Sequence, residues 1–366
     1  MAADAVGEVL GTLLERHGTE PDLAVVFVSA AHTEFVSEIV GTIRTVLQPA
    51  SLIGAAAASV IGGPREAEEL PSLSVFAAWD TNTACVRLET AETAEAVEVV
   101  GMPTDVPEGA TLILIADPAT FPTTPFVDAT ASLRPDLTMV GGLASWADER
   151  GCLLLRDGAV HRDGAVGVVV PREHVVGPVV SQGCRPIGEP MTVTAAERNF
   201  VLELAGRPAV QRLDELVGSL APADRARLAS GVQLGTVIDE ARDDFGPGDF
   251  LVRSVLGADR GRGVLAVGAE VPLGATVQFH VRDADSAHRD LHARLAGVEG
   301  DGALVFTCSG RGRSLFGVDD HDATTVADVV GTDAVAGMSC AGEIGPLAGG
   351  NRLHGFSAAV LVLADA

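Results

Sequence analysis

Apolar residues recur at helical spacing near the start of the chain: Val6, Val9, Leu10, Leu13 and Leu14, with Gly18 closing the segment. Residues 23–28 are then a continuous apolar run whose length and branching predict a buried strand. Phe35, Ile39, Ile43 and Leu47 mark one face of a second helix, and Leu52-Ile53 leads a further strand into Gly54. Strand, helix and strand in this order predict a right-handed βαβ crossover.

The pattern then changes. Residues 73–79 and 85–88 read as neighbouring strands, residues 112–115 as another buried strand, and residues 137–140 as one that runs into Gly141-Gly142. Between Cys152 and Val180, short strands are broken by Asp157-Gly158 and Asp163-Gly164, both hairpin signals. A connection punctuated by Pro and Gly covers residues 184–190, and a helix follows with Pro208 at its start and Ala209, Leu213, Leu216 and Val217 on one face. The domain boundary is placed between these features, giving residues 22–206 and 207–366. The second half again alternates strands and helices. Strands are expected at 232–234, 250–252 and 277–281, a helix from about Asp285 to Leu295, strands at 303–306 and 334–336, and a closing strand at 356–363. Asp322 is expected to cap a short helix through Val326 and Val330. The fold class expected is mixed α/β (α+β): two consecutive domains, each a mixed sheet with packed helices.

One internal echo stands out. Residues 54–62 align without gaps on residues 337–345; both tracts follow a strand and open and close with glycine. The first has Ala57 and Val60 where the second has Cys340 and Glu343.

Composition removes several functions. All 25 basic residues are arginine, which excludes a P-loop lysine, a Schiff-base lysine and a kinase-type nucleotide lysine. A formal charge of −25 argues against nucleic-acid partners and against an anionic membrane surface. Five cysteines without CxxC spacing fit free thiols in a reducing cytoplasm. No secretory leader opens the sequence and no apolar run approaches the roughly 18 residues of a membrane span.

Special backbone and reactive side chains coincide near the C-terminus. Cys308-Ser309-Gly310-Arg311-Gly312 follows one strand; Cys340 and Gly342-Glu343 follow another, with Asn351 and His354 downstream. Glycine-rich turns can gather backbone N–H groups into an anion nest, arginine adds a bidentate carboxylate clamp, and Glu343 offers a partner for an ammonium group. Together they would suit an amino acid, with Gly141 and Gly142 lining the same hollow. On this reading Arg311→Ala abolishes binding and leaves the melting temperature nearly unchanged. The alternative is catalysis: a cysteine-dependent hydrolase or acyltransferase using Cys308 or Cys340, with His354 or Arg311 favouring the thiolate. His288 and His292, and Asp319 through Asp322, have spacings that tempt toward metal, but a solvated helix face and helix capping account for them; no metal or other cofactor is expected. Glu66, Glu68 and Glu69 read as a solvated acidic face.

The chain resembles the FIST family of bacterial small-ligand sensory domains, from about Asp22 to the C-terminus. The resemblance is carried by residues 140–145, residues 181–188, the Cys308 to Gly312 tract, and residues 342–346 with His354 downstream. It implies FIST N followed by FIST C, a two-part sensory domain that binds a small molecule such as an amino acid; a cytoplasmic protein that binds an amino acid or small carboxylate in an inter-domain cleft and signals to a downstream partner is the expectation drawn with it. The residue types and spacing above make Cys308, Ser309, Gly310, Arg311, Gly312, Cys340, Gly342, Glu343, His354, Gly141 and Gly142 the expected ligand-binding set, and the resemblance supplies no catalytic residue to carry over. The two segments span this sequence, and no attached kinase, methyl-accepting, cyclase or F-box module is expected within it. Around Ala55 to Val60 the chain lacks the cysteine and Gly-Glu pair frequent in the family.

Overall fold

The computed structural model describes residues 2–92, 97–242 and 244–364. Its mixed α+β architecture divides into two compact units, one formed by residues up to Val180 with Leu291–Leu353 and the chain from Ser357, the other by Ser181–Asp290 with His354–Phe356.

The first unit opens with helix α1 (Ala2–His17) and then builds one motif three times. A strand, a helix and a parallel strand are followed by a return strand that lies antiparallel against the first. In the first copy these are β1 (Leu23–Ser29), α2 (Val36–Val46), β2 (Ser51–Ala57) and, after an inserted hairpin of β3 (Ser59–Gly62) and β4 (Arg65–Glu68), the return strand β5 (Leu73–Ala78). The second copy uses β6 (Thr111–Ala116), α3 (Thr123–Leu133), β7 (Thr138–Ala144) and β8 (Ala165–Val170). The third uses β9 (Gly302–Cys308), α4 (His321–Val330), β10 (Val335–Leu347) and β11 (Ser357–Leu363).

One glycine recurs at the same place in each copy. Gly54 lies opposite Val26, Gly141 opposite Leu114 and Gly337 opposite Val305. A Cβ at these glycines would sit 1.9, 1.9 and 2.0 Å from the facing carbonyl oxygen. Only glycine permits so close a backbone approach. The Gly54 and Gly337 echo in the sequence therefore has a structural cause, and Gly141 supplies a third copy that the sequence pattern did not expose.

The copies meet at the ends of their second strands. β7 and β10 pair antiparallel, with Ile344 opposite Gly141, Glu343 opposite Gly142 and Cys340 opposite Ala144, and a bulge between Cys340 and Glu343. The first copy lies in a separate five-stranded sheet, but β3 pairs with β10 through Val60 and Met338. Ala58 N–H donates to Ser145 Oγ (3.0 Å), Ser145 Oγ–H to the Ser339 carbonyl (2.6 Å) and Ser59 N–H to Ser339 Oγ (2.9 Å). Between the two sheets lies an apolar core in which Phe27 and Phe306 meet edge to face. Helices α1 and α2 cover the outer face of the first sheet, while α3 and α4 cover the larger one.

The second unit is a seven-stranded antiparallel sheet, with Cys184–Glu197, Thr276–Arg282, Gln233–Val237 and Phe250–Asp259 as successive neighbours and the helix Ala209–Ser219 packed on its core.

Several expected elements differ. The hairpin at Asp157-Gly158 forms, with φ of 48° and 98°, but Asp163-Gly164 instead hands the chain from one sheet to the other. Residues 73–78 and the strand Ala84–Glu92 are not neighbours: the former pairs with β1, the latter with β8. The strand at Val335 does not stop at Gly337 but runs to Leu347, because glycine there answers close strand packing rather than a turn. No helix among the described residues is long and apolar enough to cross a membrane.

Candidate functional site

Strand β9 ends at Cys308, whose in-register neighbour on β10 is Cys340. The chain turns tightly there. Arg311 N–H donates to the Cys308 carbonyl (2.8 Å), Gly310 N–H to Cys308 Sγ (3.4 Å), and Ser309 donates through both N–H and Oγ–H to the Cys340 carbonyl (2.9 Å each). Gly312, at φ 66°, takes a conformation that favours glycine; a Cβ there would lie 2.4 Å from Glu68 Oε1. The turn thereby swings Arg311 inward, leaving it 2% exposed.

The Arg311 guanidinium meets Asp322, not a solvent-filled hollow. Nε donates to Asp322 Oδ2 (2.7 Å) and Nη2 to Oδ1 (2.9 Å). Thr307 Oγ–H adds a 2.6 Å bond to Oδ2, and His321 Nδ1 lies 3.0 Å from Oδ1. Phe316 lies beneath the guanidinium and stacks on the His321 ring. Burial opposes ionisation of Asp322, but the charge and hydrogen bonds of Arg311 overcome it and hold the carboxyl well below the usual range. The bidentate fork expected for a ligand is thus occupied by the protein's own carboxylate. Nη1 remains buried with no hydrogen-bond partner.

Glu343 is fully buried on β10. Its Oε2 accepts from Ser357 N–H (3.1 Å) and Oγ–H (2.7 Å), while Oε1 has no partner of standard geometry. Burial pushes its carboxyl up to about 8 against the opposing pull of Ser357, Arg311 and Cys308. At neutral pH Glu343 is therefore mostly a neutral acid, with a proton available to donate. It does not form an ion pair with Arg311, although each feels the other's charge. Arg311 Nη1 and Glu343 Oε1 thus both lack a standard hydrogen-bond partner, the Cys308 thiol alone reaching toward the Glu343 carboxyl, and such buried atoms cost roughly 1–3 kcal/mol each when left unbonded.

The rest of the expected set is placed as follows. Gly141 and Gly142 are buried on β7 opposite Ile344 and Glu343, and Gly342 is buried beside them. A Cβ on Gly142 would lie 2.4 Å from Cys340 Sγ, so Gly142 makes room for that thiol. Cys340 is fully buried, and its thiol is held well above its usual range by burial and by neighbouring Glu343 and Cys308. Cys308 is half-buried at the start of the turn. Residues of both sequence halves, Gly141, Gly142, Cys308 to Gly312, Cys340, Gly342 and Glu343, thus belong to one compact unit; His354 groups with the other. Asn351 fastens β7, accepting from Met139 N–H and donating to the Leu137 carbonyl at 2.8 Å each. Arg313, next after the turn, is exposed and pairs with Asp319.

Sequence reasoning missed four partners. Asp322 does not cap α4; Asp320 occupies the N-cap, its Oδ1 accepting from Glu66 N–H (2.7 Å) and not from its own helix, and Asp322 points inward. Asp322, Val326 and Val330 share one helical face at i, i+4 and i+8, so the periodicity already placed Asp322 on the buried side. Glu66 and Glu68 do not form a solvated face. Glu66 accepts from Ala323 N–H (2.9 Å) at the start of α4, Glu68 accepts from Arg313 N–H (2.7 Å), and together they fasten the β3–β4 hairpin over the turn. Burial, then the charge of Asp322, raises Glu66 to about 7. Ser357, at the start of β11, gave no signal in the sequence. Among the described residues, no group of three or more His, Cys, Asp or Glu is arranged to hold a metal ion.

A mixed α+β fold made of repeated βαβ motifs, with a buried polar cluster where the third motif turns, defines the class. The descriptions FIST N domain and FIST C domain match residues 22–207 and 209–346, and the chain belongs to the FIST family of sensory and signal-transduction domains. It is 40% identical to the Uncharacterized protein Rv0628c of Mycobacterium tuberculosis (strain ATCC 25618 / H37Rv), over 96% of this chain and 93% of that protein. It is likewise 40% identical to the Uncharacterized protein Mb0898c of Mycobacterium bovis, over 100% of this chain and 95% of that one.

Proposed function

We propose that the chain is a cytoplasmic sensory protein that binds a small carboxylate, amino acids included, at the Cys308–Arg311 turn and Glu343, and signals its presence to a partner protein. The observation that carries this reading is the pair of buried atoms without a standard hydrogen-bond partner, Arg311 Nη1 and Glu343 Oε1, beside the Cys308 thiol. A guanidinium N–H and a protonated carboxyl both donate, so a carboxylate oxygen satisfies both at once. An amino acid would in addition offer its ammonium group to Glu343, with loss of the Glu343 proton. The ion pair with Asp322 holds the Arg311 side chain in place before ligand arrives, which lowers the ordering cost of binding.

The test is a thermal-shift screen of the whole protein against amino acids and small mono- and dicarboxylates. A ligand at about a hundred times its Kd adds roughly 2.7 kcal/mol of apparent stability. A hit whose effect vanishes in Glu343→Gln supports the reading; uniform silence across carboxylates rejects it. A second reading, a hydrolase or acyltransferase, rests on one contact, the Gly310 N–H that donates to the half-buried Cys308 thiol. Fast, selective alkylation of Cys308 at neutral pH that abolishes a measurable turnover would favour it. Cys340, buried and held in the thiol form, is unsuited to that role.

A further inference from the structure

The first sheet ends in an open edge. Its strand order places β5 outermost, and among the described residues β5 pairs with β1 alone. Ser29 N–H donates to the Ser72 carbonyl at 3.0 Å, which sets the alternation of the ladder. Ser74 and Phe76 then turn their backbone groups toward β1, while Leu73, Val75 and Ala77 turn N–H and C=O outward. Exposed edges of this kind are templates for a further strand, and proteins normally blunt them with lysine, proline or a covering element. Residues 73–78 contain none of the charged residues or prolines that would do so.

Beyond this edge lies a groove of about 690 Å³ that runs the whole length of β5. One wall is α1, through Val9, Thr12 and Leu13; the other is the larger sheet, through Gly302 and Val335. The space therefore continues the layer that β5 occupies, between a helix and a sheet. Its lining is mixed, and the apolar part, Val9, Leu13, Val75 and Val335 among it, suits every second side chain of an added strand. Four acidic side chains, Glu8, Asp80, Asp301 and Asp333, stand on its rim against Arg16 and His17, and the whole chain carries −25.

We propose that the β5 edge is a docking site for an extended, basic segment of a partner protein, which adds to the first sheet as a sixth strand. Backbone hydrogen bonds to Leu73, Val75 and Ala77 give the affinity, and the acidic rim selects arginine or lysine at alternate positions. A second copy of this chain is a poorer occupant, because two surfaces of the same strong negative charge would have to meet. The inference stands apart from the carboxylate site and does not depend on it.

The probe is a short capped peptide of alternating arginine and valine, with an alternating glutamate–valine peptide as control, measured by fluorescence anisotropy on the full chain. Saturable binding of the basic peptide that weakens with salt is expected, with slowed amide exchange at Leu73, Val75 and Ala77. Val75→Pro removes an outward N–H without touching the β1 ladder and should weaken binding by about tenfold or more. Glu8→Gln with Asp80→Asn leaves the fold intact, since asparagine tolerates the positive φ at residue 80, and should weaken binding several-fold while flattening the salt dependence. Absence of saturable binding, equal binding of the acidic peptide, or protection elsewhere overturns the proposal. So does a concentration-dependent dimer that protects the same amides without peptide, which assigns the edge to a second copy.

Discussion

Removing Arg311 tests the buried cluster where it is most exposed to refutation. In Arg311→Ala the Asp322 carboxylate, fully buried, loses two hydrogen bonds of 2.7 and 2.9 Å and its counter-charge, and keeps only Thr307 and His321. Breaking one side of a buried ion pair costs about 3–5 kcal/mol, because the remaining charge is stranded. For a protein of this size that is a fall in Tm of roughly 5 °C. The direction with pH follows from Asp322, whose carboxyl is held low in the folded state. Its contribution is present above the unfolded value and lost as pH falls through the folded one. In the variant, protonation of Asp322 relieves the stranded charge, so the difference from wild type should narrow in acid. Urea denaturation at neutral and acid pH measures both effects. Replacing both residues, Arg311→Met with Asp322→Leu, should recover most of the loss, as apolar substitutes for buried pairs do. If Arg311→Ala lies within about 1 kcal/mol of wild type at neutral pH, the ion pair does not hold the turn and the reasoning is wrong. This expectation reverses the one drawn from sequence, which treated Arg311 as free to serve a ligand alone.

Other consequences can be checked alongside it. Glu343 holds its proton up to about 8, above the usual carboxyl value of 4.5, so its contribution to stability is full below 4.5 and is lost as pH rises toward 8; Glu343→Gln should flatten that part of the stability–pH curve. His280 is buried and depressed to about 4 by burial, so its contribution is present above 6.5 and lost as pH falls through 4, a slope that His280→Gln should remove in acid denaturation. Gly337→Ala places a Cβ 2.0 Å from the Val305 carbonyl and should destabilise by several kcal/mol, on the order of the largest point-mutation effects. Gly41→Ala, on α2 with open space around it, should instead stabilise by about 0.5–1 kcal/mol, as read by the urea midpoint.

Much of the fold could be read from the chain, for a physical reason. Runs such as residues 23–28 and 112–115 are buried on both faces, so they leave continuous apolar signatures that periodicity detects. Helix α2 was legible from Ile39 and Ile43, which recur four residues apart on its one buried face; Phe35, read with them, precedes the helix and is exposed. What failed was pairing. Strands 73–78 and 84–92 are adjacent in sequence yet lie in different sheets, because the first returns to β1 and the second to β8, and sequence adjacency carries no information about such partners. Glycine misled at Gly337, where it marks close packing between parallel strands, not the end of a strand; Gly141 packs in the same way. At the site, the glycines and Arg311, Cys308, Cys340 and Glu343 were found from residue type and spacing. Asp322, Glu66 and Ser357 were not, since nothing local in a run of acids or a lone serine tells which member is buried against a guanidinium 11 residues away or a carboxylate 14 residues away.

The carboxylate site requires that the spare Arg311 N–H and the Glu343 carboxyl act together on one ligand. Isothermal titration of the best carboxylate from the thermal-shift screen, run on wild type and Glu343→Gln at neutral pH, measures this directly. Saturable one-to-one binding to wild type that weakens at least about tenfold in the variant, with the variant's fold and Tm preserved, is the predicted result. Equal affinity for both proteins would place the ligand elsewhere and contradict the proposed site.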